Sequence, residues 1–240
     1  MQKMSAQAPG AAKYGNFNNY YQFNKPEERV KLLPESLCCD GLNKQRIVAL
    51  DIGCNTGELT ICLYNYLTGT EGTDVHILGI DLDAELIRRA QQMNPFPNAV
   101  HYVCMDVMDA QCQPTLLEYL EKLQQTQFDI TFCFSVTMWI HLNHGDVGLK
   151  RFLATICRST VFLLLEAQSW KCYRNASRRM RREGKKEFQT LDLLNMNVNV
   201  VENIRDYLVG KCNMDVVQCF GETAWNRRVT LYKKVCSLLR

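Results

Sequence analysis

The stretch RIVALDIGCNTGELTICLYNYL (46–67) decides the fold of this chain. Its first part, RIVALDI (46–52), is a short apolar run typical of a buried strand, and its last part, ELTICLYNYL (58–67), is amphipathic with the spacing of a helix. The glycine turn between them, from Gly53 to Gly57, would present backbone N–H groups and the positive end of the helix dipole to a ligand. The sequence therefore predicts an α/β fold with a ligand-binding crevice after the first strand.

Strand-like and helix-like segments continue to alternate along the chain. Further buried strands are predicted at 75–81, 99–106, 128–136 and 160–166. Helices are predicted at 83–93, 114–125, 145–158 and 201–211. Such alternation favours a parallel sheet with right-handed crossovers, whereas the last two strand-like runs, 214–220 and 228–234, lie close together and predict an antiparallel pair. We therefore expect a mostly parallel seven-stranded sheet with an antiparallel C-terminal edge.

Composition narrows the class of protein. With 240 residues, 47% of them hydrophobic, the chain can bury one substantial core, and a net charge of +3 does not by itself indicate nucleic acid. Many of the twelve cysteines lie in apolar runs and no C-x-x-C pair occurs, so we expect free thiols, a reducing compartment and no metal site. The N-terminus lacks an apolar signal core and no stretch approaches the ~20 apolar residues of a membrane span, which predicts a cytoplasmic protein without a membrane partner.

Composition also divides the chain. Residues 1–13 are small and polar and are expected to be flexible. Residues 14–45 open with YGNFNNYYQFN, in which aromatics alternate with asparagines, and form either a packed arm or a lid; the many amides and phenols favour the lid. Residues 46–236 carry the alternating strands and helices and are predicted to form the catalytic domain, which contains a basic insertion at 171–186.

The glycine turn differs from that of dinucleotide-binding proteins. Their G-x-G-x-x-G pattern would need glycines where this chain has Asn55 and Glu58, which counts against NAD and its pyrophosphate. An amide at Asn55 suits instead the amino-acid end of a zwitterionic cofactor. This points to S-adenosylmethionine and to a methyltransferase.

Two acids at later strand ends agree with that cofactor. Asp81 ends the second strand, where a carboxylate can accept both ribose hydroxyls, and Asp106 ends the third, where with Val107 it could meet the adenine amine. The alternative is that an acid here only caps the following helix. We favour capping for Asp83 and the ribose contact for Asp81.

Four segments of the chain together resemble the Bicoid-interacting family of RNA 5′-phosphate methyltransferases. They are YGNFNNYYQF (14–23), LDIGCNTGELT (50–60), FSVTMWIHLNHGDVGLKRFL (134–153) and EAQSWKCY (166–173). The resemblance implies a Rossmann-like class I S-adenosylmethionine methyltransferase. It assigns the family's cofactor contacts to Arg29, Asn55, Asp81, Asp106, Val107 and Phe134, and Gly53, Gly57 and Leu82 beside them complete the predicted cofactor set.

The resemblance also implies the substrate. The larger capping enzymes of the family carry a lysine where this chain has Met138, and methionine matches the members that act on a 5′-monophosphate. The expected substrate is therefore the 5′-monophosphate of a small RNA, transfer RNA-His or a precursor microRNA. We expect the protein to act as a monomer.

Methyl transfer to a phosphate needs no general base, because the phosphate oxygen is already ionised at pH 7. The protein must position the acceptor and balance its charge. Candidate catalytic donors, all in segments shared with the family, are Tyr14, Tyr21, His141, Asn143 and Lys171, with Tyr173 beside them. His141 and His144 form H-x-x-H, but no third ligand accompanies them, so no metal is expected. Trp139 and Trp170 could stack on a terminal base or lie in the core.

The run KCYRNASRRMRREGKK (171–186) carries eight Lys or Arg against one Glu. As a helix it would present a basic stripe suited to an RNA backbone, although a charge run is often only a solvated face. The predicted RNA-binding residues are Arg174, Arg178, Arg179, Arg181 and Arg182. Two alternatives remain open: methylation of a small molecule or protein by the same fold, and an RNA-binding homologue without catalysis.

Overall fold

The computed structural model describes residues 12–35, 37, 45–69 and 73–235. Seven strands form one sheet in the order β3-β2-β1-β4-β5-β7-β6. The strands are β1 (Arg46–Ile52), β2 (Asp74–Asp81), β3 (Val100–Cys104), β4 (Phe128–Phe134), β5 (Thr160–Glu166), β6 (Met214–Glu222) and β7 (Arg228–Lys234). The first five are parallel, and β7 runs antiparallel to both β5 and β6. The predicted sheet, including its antiparallel edge, is confirmed.

Eight helices accompany the sheet in the described residues. They are α1 (Tyr20–Phe23), α2 (Pro26–Val30), α3 (Glu58–Thr68), α4 (Ala84–Gln92), α5 (Cys112–Lys122), α6 (Thr137–Arg158), α7 (Trp170–Arg182) and α8 (Val200–Lys211). Alternating residues of β1 enter two separate cores: Val48 and Leu50 pack with residues of α5 to α8, and Ala49 packs with residues of α3 and α4. The sheet is therefore covered on both faces, as its near-continuous apolar strands require.

Helix α6 begins earlier than the sequence predicts. The predicted helix from residue 145 to residue 158 is present, and a helical segment that begins at Thr137 precedes it across a break at Gly145, where φ is 66° and ψ is −174°. This backbone conformation is almost confined to glycine. The first part of α6 buries Met138, Ile140 and Leu142, so tertiary packing holds it in place despite its polar neighbours.

The N-terminal part of the chain is described from residue 12. The predicted flexible segment, 1–13, lies outside the described residues except for its last two, as do residues 36 and 38–44 of the predicted arm. The described part of the arm contains α1 and α2, and Leu33 and Leu37 enter the core with α3. The division of the chain at 45 and 46 remains a prediction. No helix of the described residues is long and apolar enough to span a bilayer.

The break in α6 gives a test of the fold. Gly145→Ala adds a methyl group that meets no atom within 4 Å, so its effect is that of the backbone alone, and we expect a loss of about 1–3 kcal/mol in the free energy of unfolding. Gly210→Ala is the matched control, because Gly210 is exposed in α8 with open space around it, and it should gain roughly 0.5–1 kcal/mol. Urea unfolding measures both; equal effects of the two substitutions would contradict the assigned break.

Candidate active site

The glycine turn after β1 is held in a left-handed conformation. Positive φ angles occur at Gly53 (73°), Asn55 (52°) and Gly57 (86°), and asparagine is the side-chain residue that tolerates this region best. A Cβ at Gly53 would lie 2.6 Å from the side chain of Val136, so the turn passes directly against the start of α6. The turn therefore fixes the distance between the ends of β1 and β4.

A cleft lies at the carboxyl edge of the sheet beside this turn, with about 910 Å³ of empty space when the part open to solvent is included. Eight of the nine predicted cofactor residues line it, with Gly57 outside: Arg29, Gly53, Asn55, Asp81, Leu82, Asp106, Val107 and Phe134. Three of the predicted catalytic donors also line it: Tyr14, Tyr21 and Asn143. The topology brings these residues together because parallel strands end at one edge.

Asp81 and Asp83 accept hydrogen bonds from different parts of the structure. Asp81 is buried and accepts hydrogen bonds from the backbone N–H of Asn55 (3.1 Å) and of Asp83 (3.0 Å), and burial raises its pKa. Asp83 caps α4, accepting from the N–H groups of Glu85 and Leu86 as expected. Asp81 thus joins the first two strand ends and faces the cleft. Asp106 lies two residues past the observed end of β3, is exposed, and accepts from the N–H of Met108 (2.8 Å).

Asp51 is an acid of the cleft that the sequence reasoning missed. It is buried at the end of β1 and accepts a hydrogen bond from the Thr60 hydroxyl (2.6 Å). Burial raises its pKa to about 6, and the Thr60 hydrogen bond and Arg29 oppose that rise. Its position in LDIG, directly before the turn, was the signal that could have identified it.

Arg29 and Glu166 form a buried ion pair beside the cleft. Arg29 Nε donates to Glu166 Oε2 (2.5 Å), and Arg29 Nη2 donates to the Tyr20 hydroxyl (2.6 Å) and to Ser135 Oγ (3.1 Å). Burial opposes ionisation of both groups, yet Tyr20 and Glu166 raise the pKa of Arg29, and Arg29 and Arg227 lower that of Glu166. The third nitrogen, Arg29 Nη1, is buried with no hydrogen-bond partner in the described structure. A buried nitrogen of this kind needs an acceptor, which a bound water or an anion would supply.

A second cavity adjoins the cleft and shares Tyr20, Ser135 and Trp139 with it. Its cations are Arg179 of α7 and Arg227 of the β6–β7 turn; its other lining residues are Phe17, Phe23, Asn24, Met138, Gln168, Cys172 and Asn175. Arg227 Nε is buried and has no hydrogen-bond partner among the described residues. Arg227, Glu166 and Gln168 were not predicted, because their partners lie far away in the sequence.

The arm forms a wall of both cavities. Asn16 Nδ2 donates to Asp83 Oδ2 (2.8 Å), and Asn143 Nδ2 donates to the carbonyl of Lys13 (3.0 Å). Asn55 holds the arm as well, since its Nδ2 donates to the carbonyl of Phe17 (3.1 Å) and its Oδ1 accepts from the N–H of Thr56 (2.9 Å). The asparagines of the arm segment and the turn therefore fasten the arm to the sheet edge.

The structure does not bring His141 or Lys171 into the cleft. His141 is fully buried: Nε2 donates to Asp146 Oδ1 (2.7 Å), and the Tyr173 hydroxyl donates to Nδ1 (3.1 Å). Both ring nitrogens are used, so the imidazole and Tyr173 join α6 to α7 and have no atom free for a substrate. Lys171 is exposed on α7 and lines neither cavity. His144 does line the cleft.

The two candidate stacking tryptophans differ in position. Trp139 lines both cavities and packs edge-on against Phe17 (ring centroids 5.8 Å apart). Trp170 packs on Tyr173 (5.1 Å) beside the core. In the described part of the chain, no group of three or more His, Cys, Asp or Glu side chains could hold a metal ion.

The basic run forms helix α7 with two kinds of arginine. Arg174, Arg178 and Arg182 are exposed, and Arg181 forms an ion pair with Glu187 (2.9 Å). Arg179 points inward, with its guanidinium 5.7 Å from the ring centroid of Phe17, and burial lowers its pKa. The helix therefore offers one arginine to the second cavity and an exposed basic surface outside it.

Comparisons with known proteins agree with this site. Two family models match the chain, Bicoid-interacting protein 3 (Bin3) over residues 128–234 and a methyltransferase domain over residues 49–161. The pre-miRNA 5′-monophosphate methyltransferase of Danio rerio is 41% identical over 94% of this chain and 94% of its own length. The RNA 5′-monophosphate methyltransferase of Homo sapiens is 38% identical over 94% of this chain and 82% of its own length.

Solved structures share the fold at low identity. The N-methyltransferase NodS from Bradyrhizobium japonicum WM9, in complex with S-adenosyl-L-homocysteine, has a TM-score of 0.54 at 14% identity and covers 90% of this chain and 90% of its own. At this identity the structural similarity supports the class I methyltransferase fold and carries no information about the substrate.

The buried His141 gives a prediction about stability and pH. Burial lowers its pKa, and the Asp146 contact opposes this shift only in part. The unfolded chain therefore binds a proton near pH 6.5 that the folded protein does not, so stability is retained above that pH and is lost as pH falls below it, by at most about 1.4 kcal/mol per pH unit. His141→Gln should be less stable at pH 7.5 and lose less on acidification to pH 5.5. Urea unfolding at both values measures this, and an unchanged pH slope would refute the neutral imidazole.

Proposed function

This chain belongs to the Bicoid-interacting protein 3 (Bin3) family of methyltransferases, and we propose that it methylates the 5′-monophosphate of a small RNA. The observation that carries the proposal is the second cavity, in which Arg179 and Arg227 stand beside the cofactor cleft. Two cations in a cavity that shares a wall with the cleft suit a phosphate acceptor better than a neutral one.

The cofactor is S-adenosylmethionine, and the residues of the cleft fit it. The buried, unpaired Arg29 Nη1 would hold the carboxylate, and the buried Asp51 would hold the ammonium group. Asp81 would accept the ribose hydroxyls and Asp106 would face the adenine. When bound, the cofactor supplies an electrophilic methyl group on a sulfonium.

The protein's part in the reaction is to position the acceptor and balance its charge. A phosphate oxygen is ionised at neutral pH, so no general base is needed, and none of the cleft's side chains is assigned that role. Arg179 and Arg227 would orient the phosphate, and Tyr20 and Trp139, which line both cavities, would keep water from the space between them. The arm, residues 14–45 as predicted, would act as a lid, since its described part lines both cavities.

The proposed substrate is transfer RNA-His, with precursor microRNA as the alternative. The relatives are named for pre-miRNA or RNA 5′-monophosphates, and Met138, an uncharged residue, lines the second cavity where the family's larger capping enzymes have a lysine. The chain is proposed to act as a monomer. The free cysteines among the described residues support a reducing, cytoplasmic location.

A panel of RNA ends tests this function. The protein is incubated with methyl-labelled S-adenosylmethionine and one RNA that carries a 5′-monophosphate, a 5′-triphosphate or a 5′-hydroxyl. We expect at least about tenfold more label on the monophosphate than on either of the others, because only it satisfies both arginines without excess charge. Equal labelling of all three would refute a phosphate acceptor, and labelling of none would favour a non-catalytic homologue.

The exposed arginines of α7 are expected to bind the RNA backbone. Arg174→Ala/Arg178→Ala/Arg182→Ala should weaken RNA binding and reduce the slope of log affinity against log salt by about 2–3, since each phosphate contact releases counterions. Arg181→Ala is the matched control on the same helix, because Arg181 is already paired with Glu187, and it should change the slope by less than about 1. Fluorescence anisotropy across a salt series measures the affinity and the slope of each protein. Identical slopes in the wild type, the triple variant and Arg181→Ala would mean that the exposed arginines of α7 do not contact RNA.

A further inference from the structure

Glu166 is the common partner of the two arginines that serve the two cavities. It lies at the end of β5 with no exposed surface, and its Oε1 accepts from Ser135 Oγ (2.9 Å), Trp225 Nε1 (3.0 Å) and Arg227 Nη1 (3.2 Å). Its Oε2 accepts from Arg29 Nε (2.5 Å). One carboxylate therefore receives two guanidinium groups and two neutral donors.

The charges of this cluster do not cancel. Arg29 and Arg227 each form an ion pair with Glu166, and neither forms another with a carboxylate of the described residues. Two cations contact one anion in a buried place, and the other buried carboxylate nearby, Asp51, acts on Arg29 only from beyond ion-pair distance. An anion that enters either cavity would supply the missing negative charge.

Each arginine also has one guanidinium nitrogen without a hydrogen-bond partner among the described residues. Arg29 Nη1 and Arg227 Nε are both buried without a hydrogen-bond partner in the described structure. Arg29 lines the cofactor cleft and Arg227 lines the second cavity, and neither lines both. The two arginines thus line two different cavities, although their guanidinium groups have the same carboxylate as partner.

Ser135 contacts all three charged residues of the cluster. Its hydroxyl donates to Glu166 and accepts from Arg29 and from Arg227, and Ser135 lines both cavities. Its φ of 61° is in the left-handed region, and its N–H donates to the carbonyl of Glu166 (3.0 Å). The ends of β4 and β5 are therefore tied together where the two cavities meet.

We propose that Glu166 is the positioning residue that sets both anion-binding arginines, Arg29 toward the cofactor carboxylate and Arg227 toward the acceptor phosphate. The inference rests on the proposed function. By holding both guanidinium groups from one buried carboxylate, Glu166 fixes the separation of the two ligands. A single uncharged substitution at Glu166 should weaken both binding sites at once, because the loss of position of both guanidinium groups outweighs the gain in positive charge.

The test compares Glu166→Gln with Asp129→Asn. Asp129 is also a buried carboxylate of the sheet, but it lies near the start of β4, bonded to the N–H of Val48 (2.9 Å), and lines neither cavity. Both variants should lower the melting temperature. Only Glu166→Gln should raise KM for S-adenosylmethionine and KM for 5′-monophosphorylated RNA, each at least fivefold, at a temperature where the protein is folded. Asp129→Asn should leave both constants within twofold.

Ser135→Ala is the second variant, and it tests the shared positioning of the two arginines if Glu166→Gln does not fold. It keeps every charge and removes only the hydroxyl that joins the two arginines, so both KM values should rise together by about two- to fivefold. A change in only one constant, or in neither, in the folded variants would overturn the shared role of Glu166. Failure of the proposed function would be seen in the wild-type protein instead, as methylation that does not depend on the 5′-monophosphate.

Discussion

The buried carboxylate of Glu166 is the interaction on which the arrangement of this site depends. It compensates Arg29 from the arm and Arg227 from the C-terminal hairpin, two segments that reach the sheet edge from opposite ends of the chain. Removing one partner of such a pair leaves a buried charge without compensation, a change that commonly costs 3–5 kcal/mol. The arm, β5 and the hairpin are therefore held together by one ion cluster, and both cavities lie against it.

The parallel sheet supplies the rest of the geometry. Because β1, β2, β4 and β5 all end at one edge, Asp51, Asp81, Ser135 and Glu166 lie at or just past neighbouring strand ends although they are distant in sequence. The left-handed turn at Gly53 and Asn55 lets the backbone pass close to α6 and fixes Asp81 through a backbone N–H. The residues of the cleft are thus fixed by the fold, whereas the second cavity depends on side chains of α7 and of the turn between β6 and β7.

Local pattern was enough to predict the strands, the glycine turn and the carboxylate at Asp81, since each depends on residues close in sequence. The break at Gly145 agrees with the predicted start of a helix, whereas the helical segment from Thr137 was not predicted because buried contacts hold it in place. His141 was assigned to the substrate from its place in a shared motif, whereas its buried contacts with Asp146 and Tyr173 are made across the fold. Arg227 and Glu166 are 61 residues apart, and no local pattern reports such a contact.

The position of the transferred methyl group distinguishes a phosphate acceptor from any other acceptor on the RNA. A 5′-monophosphorylated RNA is treated with the protein and S-adenosylmethionine that carries a ¹³C-labelled methyl group, and the product is examined by ³¹P–¹H correlation NMR. If the chain methylates the terminal phosphate, the labelled methyl protons couple to the phosphorus of the 5′-terminal phosphate. Labelled methyl protons without coupling to phosphorus, as on a base or a ribose hydroxyl, would contradict it.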